Sequence, residues 1–192
     1  TKKLIKKLFN IEPVTKEKFF KNGSCIKTSL GSKAIVSFLV KTIGLSNGKK
    51  ENIKVPNFIF NSNKKIIYRF IKGLADTDFG IKFKTRYGKK NYYPIIIGTS
   101  SSEHFIKQLK DLFEKIDFHS HIENRTKYDK LRKKIYLSYT INIVGKENIK
   151  KWMQRIGFAN KRHLIRYRVW NKLGFCPPYT NIKKAEIILN QN

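Results

Sequence analysis

Acidic side chains are scarce in this chain. Its 192 residues carry 13 Asp and Glu against 42 Lys and Arg, a formal net charge of +29. So large a surplus repels itself in a compact state and is ordinarily tolerated because the partner is a polyanion. Cysteine is nearly absent too. Cys25 and Cys176 are too few and too far apart for a zinc site, and read as two reduced thiols of an intracellular protein. Long hydrophobic runs are missing: no stretch reaches about 18 uninterrupted apolar residues, which excludes a transmembrane helix. Lys2, Lys3, Lys6 and Lys7 interrupt the N-terminal apolar residues, so there is no secretory signal core. Apolar residues are otherwise plentiful, at 40% hydrophobic and 13% aromatic. That composition argues against a disordered basic tail. The length suits one domain or two small ones.

The most informative stretch is Tyr68-Arg69-Phe70-Ile71-Lys72-Gly73-Leu74-Ala75-Asp76-Thr77-Asp78-Phe79-Gly80. It reads as a helix that ends on two acids and runs straight into a strand. Gly73 and Ala75 have almost no side chain and would let another helix approach closely. An acid at a helix C-terminus opposes the macrodipole, so Asp78 costs stability unless a cation is held there. Gly73 to Asp78 resembles the core of the LAGLIDADG motif of homing endonucleases, especially the archaeal intron- and intein-encoded type. The resemblance implies two such helices packed side by side at a domain interface, with Gly73 and Ala75 on the interface helix. It also implies a catalytic divalent metal, Mg2+ or another divalent cation, bound by Asp78. One departure is visible: where the family places Gly directly after the motif acid, this chain has Phe79, with Gly80 following.

The chain repeats one pattern. Lys33, Val36, Leu39, Ile43-Gly44-Leu45 and Asn47 recur 113 positions later as Lys146, Ile149, Trp152, Ile156-Gly157-Phe158 and Asn160. Each copy reads as a strand, then a helix with an apolar stripe that closes on a Gly cap. Their common order points to duplication. Helices are expected at Lys2–Phe9, Ser32–Ile43, Ser102–Ile116, Lys146–Ile156 and Lys161–Leu173. The motif helix is expected to be capped by Ser62 or Asn63. Strands are expected at Val14–Phe20, Ser24–Ser29, Ile81–Tyr87, Tyr92–Ile97, His119–Arg125 and Ile135–Ile143, and a linker near Val55-Pro56. The fold class is α+β, of homing-endonuclease-like duplicated αββαββα units with saddle-shaped antiparallel sheets. Residues 1–60 would be the C-terminal part of a first unit plus linker, 61–160 a second unit with the motif helix, and 161–192 a basic helical extension. A first motif helix would fall upstream of residue 1, so the first unit is expected to be incomplete at its N-terminus. A second chain or N-terminal fragment would then supply it.

Strict alternation assigns faces to the strands. Ile81, Phe83 and Tyr87 would meet the helices, leaving Lys82, Lys84 and Arg86 on the open face. Tyr136, Ser138, Thr140 and Asn142 would point outward beside His119, His121, Glu123 and Arg125. Cys25, Lys27 and Ser29 would be their counterparts in the first unit. Cations, amides and hydroxyls so arranged suit phosphate and base-edge contacts with double-stranded DNA; an ordinary solvated face would look the same. No cysteine or acid completes a metal site with His119 and His121, so polar contacts are expected there. Asp76 is read as a local cap. Lys82 would polarise the phosphate, assist the water or contact the backbone, with Lys146 and Lys33 as weaker analogues. Trp152 and Trp170 are expected to pack. The extension would either grip phosphates or brace the sheet. By resemblance, the chain would be an intracellular, prokaryotic and archaeal-type enzyme that cuts a long DNA site with Mg2+. The competing readings are a non-catalytic binder on the same scaffold, either an RNA maturase or a DNA-binding regulator, and a general basic RNA-binding protein.

Overall fold

A computed structural model describes residues 2–20, 23–129, 131 and 133–191. The chain divides into two compact units, Thr1–Leu45 and Ser46–Asn192. No helix of the described residues is long and apolar enough to cross a membrane.

The first unit runs α1 (Lys2–Phe9), β1 (Val14–Phe20), β2 (Gly23–Ser29) and α2 (Lys33–Ser37). Ser32 starts α2 by accepting the Ile35 N–H. The helix expected to run on to Ile43 instead widens into a π-turn, Phe38–Thr42, with the Ile43 N–H donating to the Phe38 carbonyl. β1 and β2 form an antiparallel hairpin in which Lys16 faces Lys27 and Lys18 faces Cys25. Like charges directly opposed on a ladder destabilise it.

The second unit begins with a 3-10 turn, Lys50–Asn52, and a single helical turn α3, Asn57–Phe60. Then come α4 (Lys64–Thr77), β3 (Phe79–Arg86), β4 (Lys89–Ser100), α5 (Glu103–Lys115), β5 (His121–Asp129), β6 (Lys134–Val144), α6 (Lys146–Arg155), α7 (Lys161–Leu173) and α8 (Ile182–Asn190). The segment expected to be a linker is packed. Val55 is fully buried and its N–H donates to Gln108 Oε1 at 2.8 Å, while Ser102 Oγ donates to the Ile53 carbonyl.

The four strands form an antiparallel sheet in the order β3-β4-β6-β5. Tyr87 and Gly88, both at positive φ, make the two-residue turn between β3 and β4. That geometry matches strand twist and leaves Tyr87 exposed rather than against the helices as its parity suggested. One sheet face packs on α4, α5 and α6. Ile67, Ile71 and Ala75 of α4, spaced four apart, bury there with Ile106, Leu109 and Phe113 of α5 and Ile149 of α6. Trp152 is fully buried, with Phe113, Phe118 and Phe158 each 5.9 Å away between ring centroids.

The same register that fixes the sheet explains the residue after the motif acid. Phe79 stands opposite Gly98 on β4, and its ring fills the space where a Gly98 side chain would be.

The repeat is legible in each unit by itself. The order α1-β1-β2-α2 recurs as α5-β5-β6-α6, and the matched glycines Gly44 and Gly157 both sit at positive φ, 76° and 68°. A left-handed residue past a helix end is where glycine has no steric cost.

Candidate functional site

Two features of the second unit stand out: the acid that ends α4, and a sheet face that carries several cations.

Asn63 caps α4 by accepting the Ile66 N–H, and the helix ends at Asp78, whose N–H donates to the Leu74 carbonyl. The Asp78 side chain is exposed. Its Oδ2 accepts a 2.8 Å hydrogen bond from Thr77 Oγ1, and none of the ion pairs among the described residues involves it. An acid at this place faces the negative end of the helix dipole. Asp78 lies on the wall of a cleft of about 580 Å³. The apolar side of the cleft is Leu74, Phe79 and Phe105, and hydroxyls of Thr99, Ser100, Ser101 and Ser138 line it together with Lys50. Lys50 was not singled out in the sequence. It comes from the 3-10 turn 28 residues before Asp78, and no spacing signal links the two.

Asp76 has a different fate. Its Oδ1 accepts the N–H groups of Ala159 at 2.6 Å and Asn160 at 3.0 Å, at the start of α7, where a carboxylate is favoured by the helix dipole. It therefore ties α4 to α7. Gly73 and Ala75 do not share a face of α4. Ala75 is buried in the unit's own core, whereas Gly73 is exposed and a methyl there would meet nothing within 4 Å. Two residues apart on a helix point in nearly opposite directions, so of this pair only Gly73 is available to a neighbouring helix.

On the sheet, cross-strand register places Lys82 and Lys84 on the face away from the helices, with His121, Glu123 and Arg125 of β5 and Ser138, Thr140 and Asn142 of β6. Lys82, Lys84 and Arg125 are exposed. The Arg86 guanidinium stacks over Tyr93 at 4.6 Å and Tyr87 at 5.1 Å. The Lys134 ammonium lies 5.8 Å from the Tyr136 ring centre, and Ser138 Oγ donates to the Arg125 carbonyl.

Three expectations change. His119 is exposed but precedes β5, which opens at His121, so it is not a strand-face residue. Thr140 and Asn142 lie on the open side yet are only 1% exposed; Thr140 Oγ1 is 3.3 Å from Thr99 Oγ1. Glu123 Oε2 accepts from Arg125 Nη2 at 3.2 Å and Oε1 lies 3.3 Å from His121 Nε2. Arg125 above all, then His121 and the Lys84 ammonium, hold the Glu123 carboxyl below its ordinary pKa. β3 and β5 are the two outer strands, roughly 14 Å apart at three strand spacings.

In the first unit Lys27 and Ser29 are exposed, and register places them on one hairpin face with Lys16, Lys18 and Cys25. Lys33 starts α2, and the Lys146 ammonium lies 5.7 Å from the Tyr92 ring centre. The C-terminal extension braces the sheet. Arg166 Nη1 donates to the Ile81 carbonyl on the outer edge of β3, Trp170 Nε1 donates to the Tyr92 carbonyl, and the Cys176 N–H donates to the Asn91 carbonyl.

Comparison with known proteins adds two findings. The family model of the LAGLIDADG-like domain matches residues 65–157, a span that contains Asp78 and the whole four-stranded sheet. A probable translation initiation factor IF-2 of Methanocaldococcus jannaschii is 33% identical over 132 residues, which is 68% of this chain and 10% of that protein. The chain thus spans about a tenth of the length of the curated relative it matches.

Proposed function

Residues 65–157 belong to the LAGLIDADG-like domain family, and from that membership we propose that this chain acts as a site-specific double-strand DNA endonuclease of the homing type. The observation that carries the reading is Asp78, an exposed carboxylate at the end of the family helix and on the wall of the cleft, which takes part in no ion pair among the described residues. A match confined to a tenth of a longer protein fits an embedded module of the intron- or intein-encoded kind, working inside a prokaryotic cell.

The residues present fit part of a hard-cation site. Mg2+ is held by one or two carboxylates and completes its shell with water and phosphate oxygens, and Asp78 keeps Oδ1 open for such a role. Among the described residues no three His, Cys, Asp or Glu gather at one place. The rest of the site would therefore come from the DNA backbone and from a second acid on a partner segment or chain. When bound, such an ion stabilises charge on the attacking and leaving oxygens of an in-line displacement. The chain's own groups do the remaining work. Thr77 orients the Asp78 carboxylate, and Lys82 contacts the phosphate beside it. Lys84, Arg86, Arg125 and the hairpin cations Lys16, Lys18 and Lys27 neutralise backbone charge. His121, Tyr136 and Ser138 meet base edges, with Thr140 and Asn142 beneath them.

Asp78→Asn should abolish Mg2+-dependent cutting of duplex DNA while salt-sensitive binding survives. A variant that cuts at the normal rate would remove Asp78 from the mechanism. The single acid also favours a second reading, a non-catalytic nucleic-acid binder on the same scaffold. That protein would bind duplex or structured RNA yet never nick DNA at any Mg2+ concentration.

A further inference from the structure

On β5, an outer strand of the cationic sheet face, stands an acid. We infer that Glu123 sets the sequence specificity of this face, by holding the Arg125 guanidinium and the His121 ring over the base-reading floor and away from the phosphates. The inference rests on the DNA-binding reading above and assigns Arg125 a guanine as its partner.

Two independent observations support it. The first is the clamp: Arg125 Nη2 at 3.2 Å and His121 Nε2 at 3.3 Å sit on separate oxygens of the same carboxylate. The contact restrains the guanidinium at one nitrogen, and a guanidinium reads the O6 and N7 of guanine bidentately in the major groove. The second is the floor. Asn142 pairs in register with Ile97 on one side and His121 on the other, is 1% exposed, and has no hydrogen-bond partner at either Nδ2 or Oδ1. A buried amide left unpaired is costly, and the same donor and acceptor are what a base edge can satisfy. His121 of the clamp stands directly across the ladder from Asn142, and Glu123 across from Thr140.

A carboxylate on a surface built for a polyanion weakens every backbone contact near it. That cost falls on all sequences, whereas the positioned arginine rewards only some. Glu123 therefore works by lowering non-specific affinity, the repulsive half of discrimination.

The test compares wild type and Glu123→Gln across a salt series on a random-sequence duplex, and by selection and sequencing from a randomised duplex library. Glu123→Gln should bind random duplex more tightly. Its log–log salt slope should steepen by about one phosphate contact, near 0.9. The preference at one base pair should weaken by roughly tenfold. Glu123→Asp keeps the charge but withdraws it by a methylene and should fall between. If Glu123→Gln loses its fold by circular dichroism, Arg125→Lys decides the matter, since it keeps the charge and loses the planar fork. It should lose the same base-pair preference at an unchanged slope. Random-duplex binding and a library profile both unaltered by these changes would overturn the inference. A wild type that neither binds duplex in a salt-dependent way nor enriches any sequence would instead overturn the DNA-binding reading itself.

Discussion

Replacing Gly98 by Ala puts the register of the motif acid to a direct test. A methyl at Gly98 would stand 2.2 Å from Phe79 Cε1, 2.4 Å from Cδ1 and 2.6 Å from Cζ. Carbon contacts settle at about 3.5 Å or more, so the ring would have to retreat by more than about 1 Å. It has little room. Phe79 is 7% exposed and stacks on Trp152 at 6.3 Å, with Phe113 at the same distance on a tilted ring. Overpacking of this kind costs about 1–3 kcal/mol. At ~2–4 °C per kcal/mol for a unit of this size, Tm should fall by roughly 2 to 12 °C in a calorimetric melt. Adding Phe79→Leu to Gly98→Ala should return part of that loss, because the clash partner has been shortened. A Gly98→Ala protein that melts at or above the wild-type temperature would refute the argument, and with it the account of why Phe79 follows the acid.

Asp76→Ala removes an acceptor shared by two backbone N–H groups at the start of α7 and should destabilise the protein by about 1–3 kcal/mol in urea titration. Asp76→Asn keeps Oδ1 and should recover most of it; equal stability of Asp76→Ala and wild type would sink the tie between α4 and α7. His163 packs 4.9 Å from the Phe158 ring, and burial, with Arg166 and Arg162 adding, holds its pKa below the ordinary value. Its Nδ1 is buried without a partner. A depressed folded-state pKa means the unfolded chain takes up the proton first. The stability contributed by neutral His163 is therefore full above about pH 6.5 and is lost as pH falls through the folded value. Denaturant titrations at neutral pH and near pH 5 should show this loss in wild type and a smaller one in His163→Gln; identical losses would remove His163 as the cause.

Elements with strong helical periodicity and side-chain caps were readable from the residues alone. α7 spans Lys161–Leu173 as expected because Asn160 caps it, its Oδ1 accepting the Arg162 N–H, and Gly174 closes it at positive φ. Strand parity was equally readable, since alternation fixes which side a residue takes. What parity does not contain is cover. Thr140 and Asn142 occupy the expected side, on the inner strand β6, and are nevertheless buried. Ala75 was misassigned for a related reason: a small residue permits close approach but does not say from which direction. Val55-Pro56 reads as a linker because Pro56 breaks local structure, while the contact that holds Val55 comes from Gln108, 53 positions away. Asp78 was visible because a helix-ending acid conflicts with the dipole in the sequence itself. Lys50 was not, because only the folded chain brings it to the same cleft.

The facing lysines of the β1–β2 hairpin, Lys16 and Lys27, give ionic strength two opposite meanings for this protein. Added electrolyte screens their mutual repulsion and so steadies the free molecule. The same electrolyte competes for the phosphates that those ammonium groups would neutralise and loosens any complex. A buffer chosen for long shelf life would thus be a poor one in which to look for the ligand.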